Sequence, residues 1–176
     1  MLNVLKTDRN YQEINQIHKM YNGSFPDDER VPFDILLKTI GKDRDMCAVC
    51  DNEKLIGMYY LMHDEDLVYL AYVCVKDKER GKGYGSAILK QIAEEHEGKR
   101  IVADIEELKQ DSKNYEQQKK RRDFYLKNGY RSTGTFYHIY NVDYELLSYG
   151  GPVSKEEWHD LILKHWGPRA ESATYH

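Results

Sequence analysis

The sequence is short of cysteine: it has three, an odd number, which excludes a framework of disulfides. It has no apolar run long enough to span a bilayer, and its start, "MLNVLKTDRN", has none of the apolar stretch of a signal peptide. An excess of positive charge is also missing. The formal net charge is -4, which argues against general affinity for a nucleic acid backbone. Neither a nucleic acid nor a membrane partner is expected, and the chain is read as cytoplasmic. No repeat, low-complexity segment or evident linker interrupts it. The string G-x-x-x-x-G-K-[ST] is missing, which excludes a P-loop nucleotide enzyme. Cys47 and Cys50 do spell C-x-x-C, but in a strand side chains three apart point to opposite faces. They are therefore expected to be small buried apolar residues, and no metal site is expected.

What is present suits one folded domain. The chain has 176 residues, of which 40% are apolar and 15 are tyrosine. "LNVLKT" reads as a strand, and Ile14, Ile17 and Tyr21 then recur at helical spacing. A second short helix is expected at "FDILLKTI" after Pro32. Strands follow at "MCAVC", "LIGMYYLMH" and "LVYLAYVCV", the third almost wholly apolar, as in a strand buried on both faces. A helix with Ile88, Ile92 and Ala93 inward leads to the strand "RIVADIE". A charged stretch, "ELKQDSKNYEQQ", precedes a helix that stops near Gly129, and "TGTFYHIYN" and "DYELLSY" read as a pair of strands. The last helix, "SKEEWHDLILKHW", opens with Ser154 and Glu157 in capping-box spacing. This order predicts a mixed α/β sheet with helices on both faces.

One stretch spends glycine where a helix begins. "ERGKGYGSAIL" puts Arg80, Gly81, Lys82, Gly83, Tyr84, Gly85 and Ser86 between the apolar strand and the helix. Amides at a helix start have no partner within the helix, and the dipole makes that end positive. Glycines let those amides approach a phosphate, and Arg80 and Lys82 add charge. A dinucleotide fingerprint from Gly81 needs glycine at position 86, which is Ser86.

The spacing that does fit is R-x-x-G-x-G, at Arg80, Gly83 and Gly85, five residues after Val75 at the end of an apolar strand. A second block, "FYLKNGY", supplies Phe124, Tyr125, Gly129 and Tyr130. With the order of elements, the sequence resembles the GCN5-related N-acetyltransferase (GNAT) superfamily over roughly residues 1–148.

The resemblance implies a mostly antiparallel sheet with a splayed parallel strand pair. It divides the chain into a GNAT domain over residues 1–148 and a C-terminal helical extension over 149–176, packed on the same domain. It implies acetyl-CoA as co-substrate and direct acetyl transfer to an amine. The backbone of Val73 and Val75 would hold the acetyl carbonyl and pantetheine arm, and residues Arg80 to Ser86 the diphosphate. Tyr125 falls at the family's proton donor to the leaving thiolate. The base is expected in the pair Asp104 and Glu106, which share one face of a strand; the sequence does not separate them. Either is also a candidate ion-pair partner of Arg121 or Arg122. Many relatives carry an asparagine seven residues before the tyrosine, where this chain has Gln118.

The acceptor is expected to be a small-molecule or protein amine. The loop "FPDDERVP" offers Glu29 and Arg30 as substrate-binding candidates, with His138 and Tyr140 as lesser ones. Two other classes stay open: a silent acyl-CoA-binding sensor, and an interaction module built on the last helix. Monomer and homodimer are both compatible with the sequence.

Overall fold

The computed structural model describes residues 2–176. Eight strands form one sheet: β1 (Leu2–Thr7), β2 (Arg44–Asp51), β3 (Lys54–His63), β4 (Leu67–Val75), β5 (Arg100–Glu106), β6 (Arg131–Ile139), β7 (Val142–Tyr149) and β8 (Thr174–Tyr175). Their hydrogen-bonded order is β1-β2-β3-β4-β5-β7-β6-β8. β4 and β5 are parallel, whereas β1–β2, β2–β3, β5–β7, β6–β7 and β6–β8 are antiparallel. The helices are α1 (Ile14–Ser24), α2 (Phe33–Thr39), α3 (Tyr84–Glu95), α4 (Tyr115–Lys127) and α5 (Lys155–Trp166). Among the described residues, no helix is long and apolar enough to cross a membrane.

The chain forms two compact units, residues 1–63 with 70–97 and residues 64–69 with 98–176. In the first, α1 buries Ile17 and Tyr21, α2 buries Phe33 and Leu36, and β2 and β3 are buried along nearly their whole length. Helix α3 buries Ile88, Leu89 and Ile92. Leu89 takes the place expected for Ala93, which is half-buried. Gly57 on β3 marks a close approach: a Cβ there would stand 2.7 Å from the Cys74 carbonyl oxygen and 3.2 Å from Ile88 Cδ1. No side chain fits without moving backbone.

The second unit is built on β5, β7 and β6, with β8 on the outer edge of β6. Its core includes Ile101, Val102, Tyr137, Leu146, Leu147, Trp158, Leu161 and Ile162. Helix α5 starts with the expected capping box, Ser154 and Glu157 satisfying each other's backbone N–H groups. One element and one boundary escape the sequence reading. β8 is too short to show a period. Helix α4 starts inside the charged stretch and buries only Gln118 and Tyr125, so its apolar stripe is too thin to mark where it begins.

Candidate active site

In the first unit, the turn before α3 is built from glycines in left-handed backbone. Gly81 has φ 77° and Gly83 φ 84°, and a Cβ on either would meet nothing within 4 Å. Non-glycine residues adopt such φ values only under strain, so the sequence spends glycine where geometry demands it. Gly83 caps α3, and no side chain caps the helix start. Among the described residues, the N–H groups of Gly81, Lys82, Gly83, Tyr84, Gly85 and Ser86 have no hydrogen-bond partner in the protein. A row of unpaired donors at the positive end of a helix is an anion site in the making.

The charged side chains around this turn are mostly occupied. Arg80 pairs with Asp77 at 2.9 Å and donates to the Val75 carbonyl at 3.3 Å and Ser24 Oγ at 3.4 Å. Lys82 donates to Glu79 at 2.8 Å, and Lys54 pairs with the same carboxylate. Glu79 is only 6% exposed, and hydrogen bonds from Lys54 and then Lys82 hold its carboxyl down to about 2. Tyr84 donates from its hydroxyl to Asp51 at 2.7 Å. The side chains thus brace the turn, and the bare amides are what it presents.

The end of β4 presents a second row of main-chain groups. Lys76 N–H donates to the Ile56 carbonyl of β3 at 2.8 Å, so alternate residues of β4 face β3. Val73 and Val75 therefore direct their N–H groups away from β3. The ladder from β4 to β5 joins Leu67, Val68 and Tyr69 to Arg100, Ile101 and Val102, and among the described residues it goes no further.

In the second unit, Tyr125 owes its place to the way α4 ends. Tyr130 N–H donates to the Tyr125 carbonyl at 3.1 Å and Gly129 N–H to the Leu126 carbonyl at 3.2 Å. Gly129 has φ 91°, completing a Schellman motif. The rings of Tyr125 and Tyr130 pack edge to face at 5.1 Å. The block "FYLKNGY" is thus a helix stop that fixes a tyrosine ring. Tyr125 is 7% exposed; burial pushes its phenol up, with Arg121 opposing and Asp104 reinforcing the shift. Among the described residues nothing hydrogen-bonds its hydroxyl.

The two candidate bases differ in their surroundings. Asp104 accepts from the Tyr69 hydroxyl at 2.8 Å on one oxygen and from the Tyr137 hydroxyl at 2.7 Å on the other. Burial raises its carboxyl above the usual range, and the two hydroxyls pull it back only in part. Glu106 accepts from Gln118 Nε2 at 2.6 Å. That amide also donates to Ser112 Oγ at 3.0 Å, and its oxygen accepts from Lys109 N–H at 3.2 Å. Gln118 is therefore consumed in holding the connection from β5 to α4. Arg122 pairs with neither candidate; its guanidinium forks onto buried Glu145 at 2.8 and 3.2 Å.

The comparisons with known proteins meet this geometry. The family model described as "Acetyltransferase (GNAT) domain" matches residues 42–132. The chain belongs to the GNAT acetyltransferase family. A search of curated proteins finds no significant match. Among solved structures, it is similar to a protein described as a GNAT-family acetyltransferase from Bacteroides thetaiotaomicron, with TM-score 0.78 and 18% identity over 94% of this chain and 98% of that one. It is also similar to the ribosomal-protein-S18-alanine N-acetyltransferase of Escherichia coli, with TM-score 0.64 and 13% identity over 89% and 97% of the two chains. A GNAT acetyltransferase from Elizabethkingia anophelis with acetyl-CoA bound gives TM-score 0.59 and 16% identity over 84% and 97%. At such identities the likeness is one of fold.

The remaining candidates of this GNAT domain lie outside these clusters. Arg30 donates to the carbonyls of Phe25 at 2.5 Å and Asn22 at 3.3 Å and pairs with Asp27, which staples the loop between α1 and α2. Half-buried Glu29 sits in the same loop. The next residue, Val31, donates to the Tyr72 hydroxyl at 3.0 Å and accepts from Tyr21 at 2.7 Å. His138 holds Asp143 at 2.7 Å, and Tyr140 is 53% exposed with φ 51°. The three cysteines are free and buried. Burial pushes the Cys47 thiol up to about 11 and that of Cys74 to about 12, so neither is a nucleophile at neutral pH. Glu107, Asp143 and His176 bring ligand atoms within 4.8 Å of one another. Asp143 there is already paired with Lys109 and His138.

Sequence reasoning missed Glu79, hidden in a charge run, and the tyrosines on Asp104. Those lie 35 and 33 residues away from it and are anonymous in a tyrosine-rich chain.

Proposed function

We propose that this GNAT domain transfers an acetyl group from acetyl-CoA to a primary amine by direct attack. The observation that carries the reading is the run of N–H groups from Gly81 to Ser86 at the start of α3, unpartnered among the described residues, in a chain of this family. A diphosphate satisfies such donors, and the helix dipole favours its charge. Solved relatives with CoA or acetyl-CoA bound support the same choice of donor.

In this reading the pantetheine arm lies along the edge of β4 that faces away from β3, as an added strand would. A main-chain N–H of Val73 or Val75 takes the charge that gathers on the acetyl oxygen. The amine nitrogen attacks the carbonyl carbon, a C–N bond forms and the C–S bond breaks. CoA leaves as a thiolate and takes the phenolic proton of Tyr125. The proton lost by the amine goes to a carboxylate of the pair Asp104 and Glu106, directly or through a water. A buried phenol keeps its proton at neutral pH, which is the state a donor needs.

The test is thiol release from acetyl-CoA, followed across a panel of alkyl amines and short peptides with free amino termini. Release above hydrolysis with at least one amine is the expected result. Release that no amine raises above background overturns the reading.

A further inference from the structure

Of the two carboxylates, only Asp104 is gripped on both oxygens among the described residues. Tyr69 on β4 and Tyr137 on β6 each donate one hydroxyl to it, at 2.8 and 2.7 Å. Both tyrosines are core residues, 3% and 0% exposed. Their rings have little freedom to turn away. Tyr69 stands edge-on to Trp158 at 5.0 Å and to Trp166 at 6.0 Å. Tyr137 packs on Trp158 at 5.7 Å, stacks on Tyr144 at 5.4 Å and meets Tyr175 at 6.0 Å.

Other groups near Asp104 do not compete for this task. On α4, Tyr125 interacts with it electrostatically and without a hydrogen bond. Opposite on β7 is Leu146, and α5 offers Trp158, which does not ionise. Among the described residues no cation pairs with Asp104. An ionised carboxylate has about four acceptor positions, so two hydroxyls leave room for an incoming proton. Glu106 is held by Gln118, an amide that also fastens Lys109 and Ser112, and that set has the character of a loop anchor.

We infer that Tyr69 and Tyr137 are positioning residues for Asp104, and that Asp104 rather than Glu106 takes the acceptor's proton. This rests on the acetyl transfer proposed above. Each hydroxyl steadies the charged form, so removing one makes the carboxylate hold its proton to higher pH. The sign follows directly: activity needs Asp104 ionised, so the acid limb of the pH-rate profile moves upward.

The experiment compares the full-length protein with Tyr69→Phe and Tyr137→Phe in two readouts. Carboxyl carbon NMR titration of Asp104 reads the clamp with no substrate present. The pH dependence of kcat/KM for the amine reads its use in the reaction. Each variant is expected to raise both midpoints by roughly 1 unit, the size of one lost charge-assisted hydrogen bond. Tyr130→Phe removes a buried hydroxyl that has no partner among the described residues, and both midpoints should stay in place. Unmoved NMR midpoints overturn the clamp. Moved NMR midpoints with an unmoved acid limb overturn the role of Asp104 as base. A shifted titration in a protein that never turns over acetyl-CoA overturns the proposed function and leaves the clamp standing. Phenylalanine keeps the ring in each pocket, and near-UV circular dichroism checks that packing survives.

Discussion

Replacing Tyr125 with phenylalanine is expected to lower kcat by about 10²- to 10⁴-fold, the range that a positioned general acid contributes. The KM for acetyl-CoA should change little, because the phenol acts on the leaving sulfur as the C–S bond breaks and not on the bound ester. Tyr125 touches Phe124 at 5.3 Å and Tyr130 at 5.1 Å through its ring, which phenylalanine retains. The Schellman hydrogen bonds come from backbone and are untouched. Thermal melting should therefore be close to that of the parent, so a loss of rate can be read as chemistry. Steady-state thiol release checks it, and a kcat within a few-fold of the parent contradicts the acid role.

Replacing Trp158 with alanine is expected to destabilise the second unit by about 3–5 kcal/mol, as for large aromatic side chains deleted from a core. Trp158 is fully buried and packs against Tyr69, Tyr137 and Trp166. A cavity there removes the wall that both Asp104-binding tyrosines lean on. Since domains unfold at about 5–15 kcal/mol in all, a loss of that size is a large share. Its indole N–H has no hydrogen-bond partner among the described residues, so Trp158→Phe leaves no orphaned donor and should cost less. Denaturant unfolding followed by circular dichroism measures both. An alanine variant within about 1 kcal/mol of the parent would show α5 to be an appendage to this unit.

The sequence revealed most where local backbone chemistry and side-chain identity coincide. Gly83 and Gly129 stand at positive φ, and a reader who asks why glycine is there finds the start of α3 and the end of α4. Ser154 and Glu157 announce α5 in the same way. The strands were legible because β2 and β3 are buried almost throughout, which leaves nearly continuous apolar runs.

The site was harder to read, for physical reasons. Arg80 and Lys82 suggest phosphate ligands by charge, yet folding sets Asp77 and Glu79 beside them. Asp104 and Glu106 look alike on one strand face; tertiary partners far away in the chain make them different. Gln118 stands where many relatives carry an asparagine, and the fold uses it to tie a loop. Arg30 reads as a substrate ligand in an acidic loop, and its hydrogen bonds return to that loop's own carbonyls. Spacing reports the backbone well; it carries no record of which distant side chain comes to rest on a given oxygen.

The central claim is that bare amides at the start of α3 hold the diphosphate of a coenzyme. Calorimetric titration with CoA and with pantetheine, which has the same arm and no diphosphate, tests it most directly. The account predicts saturable binding of CoA and affinity for pantetheine at least ~100-fold lower, the equivalent of one or two charge-assisted hydrogen bonds. No heat with CoA, or equal affinity for the two, would contradict it.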